Sequence, residues 1–291
     1  MKKILFPVDF SKASLNAFLY ALHLAKKLRA EIVTLHMYAI PGQDYGVYPY
    51  LYVNYGITDL SEFEKYKSAV VVLDSIAENH NLGKINVSHV LREGPISPGI
   101  LAVAKEEKAN YIVMATKGAT GLAEVFLGSV AEQVINGADI PVLAVPEGCS
   151  YQGIKKILLL TQFKESEIKI MDQLLHGAAG FKAHTDVVEV RNGHKNNEAK
   201  VLKMWHSRYP TANVNFSVLI SDDPEAAVLK FIIQNRIDLV TLTVSHKSFF
   251  EKLFFNSLAS DMAYHSVVPL LSFPISIAEV KKEVRPRQQH Q

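Results

Sequence analysis

The feature that most constrains the fold of this sequence is a β-α alternation that starts again midway along the chain. Asn110-Tyr-Ile-Val-Met-Ala is matched by Asp238-Leu-Val-Thr-Leu-Thr, and the residues that follow keep the same offset. Pro141 and Pro269 then fall at equal distances, and each opens an apolar run of strand length. A constant offset through strand, loop, helix and strand indicates a tandem duplication.

Each copy alternates short apolar blocks with segments whose apolar residues recur at helical spacing. In the first copy we expect a helix at 11–28, capped by Ser11, and another helix that begins at Pro98. Alternation at these lengths favours a mainly parallel sheet with helices on both faces. The sequence therefore predicts an α/β chain of two tandem doubly wound domains, residues 1–147 and residues 153–291.

Composition excludes several classes of partner. The 291 residues suffice for two cores of ordinary size, and the formal charge of +2 is spread over a balanced mixture of acidic and basic residues. We therefore expect no nucleic-acid partner. The single cysteine, Cys149, excludes an internal disulfide and a cysteine-based zinc cluster. Too few apolar residues precede Asp9 for a secretory leader or a membrane span, so we expect a cytoplasmic protein without a membrane partner.

A glycine-containing loop follows the apolar run at 111–115 and carries the chemistry of a phosphate cradle. Gly118 lies in this loop, and Gly128-Ser129 opens the next helix. Glycine lets backbone amides approach an anion, and a helix N-terminus offers N–H groups and a favourable dipole. Asp9 follows the first strand and reaches the same sheet edge, where its carboxylate could accept hydrogen bonds from a base or ribose. The alternative is that the glycines serve only the turn.

Two motifs of the first copy resemble the universal stress protein family. One is Pro7-Val8-Asp9-Phe10-Ser11, and the other is the spacing Ala115-x2-Gly118-x9-Gly128-Ser129. The ATP-binding members of that family carry Gly-x2-Gly-x9-Gly-Ser/Thr after the fourth strand. The departure is Ala115, which puts a methyl group in place of the first glycine. The resemblance covers nearly all of residues 1–147 and implies the family's fold together with a site for an adenine nucleotide.

The resemblance also implies which residues form that site and what they hold, namely ATP or AMP, with or without Mg²⁺. The base and ribose would be flanked by Pro7, Val8 and Asp9. Met37 would give the adenine an apolar surface, and Met114 and Ala115 would line the floor. The phosphates would be held by Gly118, Gly128, Ser129 and Val130. Core packing is the alternative role for the two methionines.

The second copy lacks the polar features of this site. Asp9 is matched by Gln162, Ala115 by Thr243, Gly118 by His246 and Gly128 by Asn256, and only Ser257 is kept. Side chains replace hydrogen atoms at two points where the backbone would meet phosphate. We therefore expect one nucleotide per chain, bound in the first copy.

A tyrosine-rich segment, residues 41–66, belongs to the first copy alone. Its tyrosines are Tyr45, Tyr48, Tyr50, Tyr52, Tyr55 and Tyr66. Tyrosine combines apolar area with a polar tip, so the segment could be a lid over the nucleotide or a docking surface for a partner. Packing over the domain's own sheet is the alternative.

Three functions remain open from the sequence. The leading one is a regulatory, stress-response module in which nucleotide occupancy alters partner contacts. The second is a slow ATP-hydrolysing enzyme, although no Walker motif and no general base beside the loop are found, so no catalytic residue is assigned. The third is a scaffold that binds no nucleotide.

The last strand of each copy, at 142–145 and 270–273, is apolar and expected at a sheet edge. An open apolar edge invites aggregation, so we expect the two strands to pair and to form an intramolecular pseudo-dimer. Whether whole chains associate further as a homo-oligomer stays open.

Overall fold

The structure, a computed structural model, describes residues 1–39, 60–80, 82, 84–116, 129–193, 198–210, 213–243 and 268–274. Within these ranges the chain forms one ten-stranded, mostly parallel sheet with helices on both faces, so the predicted α/β class is confirmed. No helix in the same ranges is both long enough and apolar enough to cross a bilayer.

The first half of the sheet is built from five strands and four helices. In chain order they are β1 (Lys2–Pro7), α1 (Lys12–Leu28), β2 (Ala30–Tyr38), α2 (Leu60–Asn79), β3 (Val87–Glu93), α3 (Ile96–Glu106), β4 (Tyr111–Ala115), α4 (Ser129–Gly137) and β5 (Val142–Val145).

The second half follows the same order of strands, with three helices in its described part. The elements are β6 (Lys156–Leu160), a 3₁₀ turn (Glu165–Glu167), α5 (Ile168–Phe181), β7 (His184–Arg191), α6 (Glu198–Arg208), β8 (Val214–Ile220), α7 (Pro224–Asn235), β9 (Leu239–Thr243) and β10 (Leu270–Phe273).

The strand order across the sheet is β3-β2-β1-β4-β5-β10-β9-β6-β7-β8. Neighbouring strands within each half are parallel, whereas β10 is antiparallel to β5, with Leu271 opposite Leu143. The expected pairing of the last two strands is therefore confirmed. In the first half the chain passes from β1 to β2 on one side, while β4 lies on the other side of β1. The point between β1 and β4 is the switch in strand order at which doubly wound folds bind ligands.

Local sequence sets where the helices begin. The Ser11 hydroxyl accepts a hydrogen bond from the backbone N–H of Ser14 at 3.1 Å and caps α1, as the sequence predicts. Helix α3 begins at Ile96, before the predicted start at Pro98. The helix includes Pro98 because the N–H that proline lacks has no intrahelical acceptor in the first turn.

Two apolar cores cover the two faces of the sheet. The first packs side chains of α1 and α5 against it and includes Phe6, Phe18 and Trp205. The second lies under α3, α4 and α7 and includes Ile100 and Val240. Full burial of a large apolar side chain contributes about 1.5–3 kcal/mol to stability. The two cores therefore hold the helices against the sheet.

Candidate functional site

The carboxyl ends of β1 and β4 lie side by side at the switch point. Ile4 pairs with Tyr111 in a parallel ladder, so Pro7 and Ala115 end neighbouring strands at one edge. The backbone N–H of Val8 still donates to Leu35 at 2.9 Å, just past the end of β1. The chain therefore leaves the sheet before Asp9 on one side of the switch point, and it leaves the sheet after Ala115 on the other side.

Asp9 is exposed and is held by the first turn of α1. One carboxylate oxygen, Oδ1, accepts from the Ser11 backbone N–H at 3.1 Å and from the Ser11 hydroxyl at 2.7 Å. The N–H of Asp9 donates to the Ser14 hydroxyl at 3.4 Å. These contacts fix a carboxylate at the edge of the sheet, close to the N-terminus of a helix.

Val8 contributes backbone to this edge, because its side chain is buried in the first core. Its carbonyl accepts a hydrogen bond at 2.7 Å from Nδ1 of His36, and a carbonyl acceptor requires that nitrogen to carry the proton. The imidazole packs with Phe10 and Tyr66, at centroid distances of 5.0 and 6.2 Å, and the rings of Phe10 and Tyr66 are themselves 6.3 Å apart.

This aromatic group was not predicted from the sequence. His36 lies next to Met37 on β2, and strand alternation would have placed the two side chains on opposite faces. Burial raises the pKa of the Tyr66 phenol, so Tyr66 stays neutral and its ring belongs to the apolar surface. The result is a cluster of three aromatic rings beside the end of β1.

Met37 and Met114 are buried in the second core, below the sheet edge. Met37 fills the space beside Gly99 of α3, where a methyl group on the glycine would collide with the methionine side chain. Ala115 is partly buried and packs toward the first core, on the opposite face from Met114. The structure therefore gives both methionines a packing role, whereas their contact with a nucleotide stays a prediction.

Ser129 begins α4 and is exposed, and Val130 packs against the second core. Because α4 connects the parallel strands β4 and β5, the helix runs back across the sheet and Ser129 lies toward the carboxyl edge. Gly118 and Gly128 lie outside the described residues, as do His246, Asn256 and Ser257. The tyrosine-rich segment is described only from residue 60 onward, which includes Tyr66.

At the corresponding edge of the second half, the carboxylate of Glu167 accepts hydrogen bonds from the turn after β6. Glu167 is 3% exposed, and its carboxylate accepts hydrogen bonds from the Thr161 hydroxyl at 2.8 Å and from the N–H groups of Gln162 and Lys164 at 3.0 Å. Ser14 stands at the equivalent place in the first half. The backbone donors that follow β6 are therefore already used.

A hydrogen-bonded chain of Thr34, His89 and Asp74 lies on the α2 side of the sheet. Nδ1 of His89 is 2.7 Å from the Thr34 hydroxyl, and Nε2 is 3.0 Å from Asp74. Thr34 is fully buried, so no substrate reaches its hydroxyl, and the chain of contacts fastens α2 to β3. Among the described residues no three His, Cys, Asp or Glu side chains form a group that could hold a metal ion.

The family model and the relatives that match this chain are all universal stress proteins. Residues 1–146 match the universal stress protein family. Universal stress protein MJ0531 of Methanocaldococcus jannaschii is 36% identical over 146 residues, which are 50% of this chain and 81% of that protein. Universal stress protein YxiE of Bacillus subtilis is 30% identical over 148 residues, 49% of this chain and 97% of its own.

A solved structure extends the similarity to both halves. The crystal structure of a universal stress protein from Archaeoglobus fulgidus has a TM-score of 0.66 at 15% identity and covers 94% of this chain and 98% of that chain. At this identity the likeness shows the fold alone.

Proposed function

Because the chain belongs to the universal stress protein family, we propose that it is a regulatory stress-response protein that binds one adenine nucleotide, ATP or AMP, at the edge where β1 and β4 end. The observation that carries the proposal is the position of Asp9. Its carboxylate is fixed directly past β1, at the switch in strand order. Ligands of doubly wound sheets bind at this point.

The chemistry of the edge fits the parts of a nucleotide. The carboxylate of Asp9 would accept hydrogen bonds from ribose or base, and a charged acceptor makes stronger hydrogen bonds than a neutral one. The rings of His36 and Phe10 offer an aromatic surface beside it. The N-terminus of α4, at Ser129 and Val130, would meet the phosphates, together with Gly118 and Gly128.

Magnesium would enter with the nucleotide. Mg²⁺ commonly binds through substrate phosphates and only one or two carboxylates, so it requires no preformed metal cage. The proposal therefore rests on the nucleotide alone.

A single site per chain is supported by the contrast between Ser14 and Glu167. In the first half the turn after β1 begins with Asp9, and the N–H of Asp9 donates to the hydroxyl of Ser14. In the second half Gln162 is neutral, so the carboxylate that would accept from ribose or base is missing, and the Glu167 carboxylate accepts from the N–H groups of Gln162 and Lys164. The turn after β6 therefore lacks the charged acceptor that the turn after β1 offers at Asp9.

We also propose that residues 1–147 and 153–291 are two domains of common origin. The mirrored strand order and the matched positions of β4 and β9 support this division. Under this proposal the second domain keeps the fold and has lost the ligand.

Calorimetric titration of ATP and AMP into the full chain tests the proposal. We expect one site per chain, and we expect Asp9→Asn to weaken binding by about tenfold, because it removes the charge and keeps the shape of the side chain. The matched control is Gln162→Ala, at the equivalent position in the second half, which should leave binding unchanged.

Two results would contradict the proposal. Absence of binding to either nucleotide, checked by calorimetry at two temperatures, would favour the scaffold alternative, and two equal sites would show that the second half also binds. Phosphate release is a separate measurement. A rate near the roughly 10 per second of ordinary enzymes would favour the hydrolytic alternative.

A further inference from the structure

A large apolar cavity lies between the two halves, far from the nucleotide edge. Its volume is about 510 Å³, and it opens between α1 and α5 over the central strands of the sheet. The floor includes Ile4, Val113, Leu143 and Phe273, and the walls include Leu24 and Ala178. Small-molecule sites of proteins span about 300–1,000 Å³ and occur preferentially where two structural units meet.

The lining is buried as well as apolar. Ile4 is 0% exposed and Val113 is 1% exposed, so the floor of the cavity is the closed surface of the sheet. A cavity with apolar walls lacks the dispersion contacts that a closely packed core would supply. An apolar chain that filled it would recover those contacts.

The mouth of the cavity carries the ammonium group of Lys2, and the described residues place no carboxylate within ion-pair distance of it. Lys3 is paired with Glu107 at 2.7 Å and with Glu31 at 3.5 Å on the other face of β1. Lys2 points to the cavity side, and the described residues offer its ammonium group no ion pair. Asp172 also borders the cavity, but its carboxylate accepts from the Tyr209 hydroxyl at 2.8 Å and lies 3.9 Å from the guanidinium group of Arg208.

Among the described residues, the other polar side chains that line the cavity include no further carboxylate. They are Asn110, Tyr111, Gln173 and His176. The balance at the mouth therefore favours an anion, while the interior favours hydrocarbon.

We propose that this cavity binds a single-chain amphiphile with an anionic head group, of the class of fatty acids. The hydrocarbon chain lies over the central strands, and the carboxylate lies at the mouth beside Lys2. The site is independent of the nucleotide site, because its lining comes from the amino ends of β1 and β4, whereas Asp9 follows the carboxyl end of β1.

Two glycines of α5 provide a test that preserves the fold. A Cβ atom placed on Gly177 meets no other heavy atom within 4 Å, and the same holds for Gly180, but only Gly177 borders the cavity. Gly177→Phe should therefore fill the cavity without strain, and Gly180→Phe is the matched control on the same helix. Either change replaces a glycine, which is an unfavourable residue in the interior of a helix.

The experiment is calorimetric titration of dodecanoate, dodecanol and dodecyltrimethylammonium into the full chain below their micelle thresholds. We expect dodecanoate to bind most tightly, Gly177→Phe to weaken it at least about tenfold and Gly180→Phe to leave it unchanged. Lys2→Gln should weaken dodecanoate about fivefold and leave dodecanol unchanged, whereas Lys155→Gln, the equivalent position before β6, should change neither.

Equal binding in Gly177→Phe and the unaltered chain would show that the amphiphile binds elsewhere and would overturn the proposal. Tighter binding of the cationic probe than of dodecanoate would refute the assigned head group. Absence of binding by all three probes would show that the cavity takes no amphiphile.

Discussion

Phe10 and Phe163 occupy equivalent positions in the turns that follow β1 and β6, and both have a left-handed backbone, with φ of 61° and 55°. A bulky residue in this region costs about 1–2 kcal/mol, so packing must hold each turn in place. Phe10 packs on His36, and Phe163 lies 5.5 Å from Trp205. The two turns share a backbone conformation, and the side chains that follow them differ, with Ser14 in the first half where Glu167 stands in the second.

Removing the Glu167 carboxylate should destabilise the chain. Glu167→Ala leaves three buried or partly buried donors without their acceptor, and hydrogen bonds to a charged group are worth about 1.5–3 kcal/mol each without being additive. We expect the free energy of unfolding to fall by about 3 kcal/mol in urea denaturation. Glu165→Ala, an exposed residue of the same 3₁₀ turn, should change it by less than about 0.5 kcal/mol. Equal effects of the two changes would refute this role of Glu167.

Two fully buried threonines should respond to the same substitution in opposite directions. The Thr241 hydroxyl donates to the Leu158 carbonyl at 3.0 Å, whereas the Thr185 hydroxyl has no hydrogen-bond partner among the described residues. Valine has nearly the same shape without the polar group. Thr185→Val should therefore raise the free energy of unfolding by about 1 kcal/mol, and Thr241→Val should lower it by about as much. The same sign in both variants would contradict the assigned hydrogen bonding.

His23 should make the chain less stable in acid. Burial lowers the pKa of this histidine, and the nearby charges of His80 and Lys26 act in the same direction. Its ring stacks on Tyr151 at 4.3 Å. Because the folded-state pKa lies below the unfolded value of about 6.5, the stabilising contribution is present above pH 6.5 and is lost as the pH falls through the folded value.

An NMR titration of the His23 ring checks this prediction. Its midpoint should lie below 6.5 in the folded chain and return to about 6.5 in denaturing urea. His23→Phe should reduce the loss of stability on acidification. A folded midpoint above 6.5 would show that the contact with Tyr151 favours the charged ring.

Cys149 should be a slow thiol. Burial raises its pKa to about 11, and its carbonyl accepts from the Asn16 side chain at 3.0 Å, which holds the segment against α1. At pH 8 the folded chain should react with iodoacetamide on the order of a hundredfold more slowly than the unfolded chain, as followed by mass spectrometry. The same shift predicts that stability falls as the pH rises from about 9 towards 11. Equal alkylation rates with and without urea would contradict the raised pKa of Cys149.

The sequence predicted strands better than it predicted the groups around the site. Strands β4, β5 and β10 have the bounds expected from their apolar runs, because a run between turn signals limits a buried strand at both ends. Asp9 could be placed at the sheet edge because a residue after a parallel strand has no other location. His36 and Glu167 could not be identified, since their roles come from partners that only the folded chain brings together. The cavity could not be predicted from the sequence either, because its lining comes from two halves of the chain.

The ladder between β5 and β10 joins the two halves of one chain, and residues 146–155 connect those halves. Two separate chains held by such a ladder would come apart on dilution, whereas a short covalent link keeps its ends at a local concentration in the millimolar range. The pairing of the two halves therefore does not depend on the concentration of the chain. Each half can also change its surface on its own, which a symmetric pair of identical chains cannot do, because there every substitution appears twice.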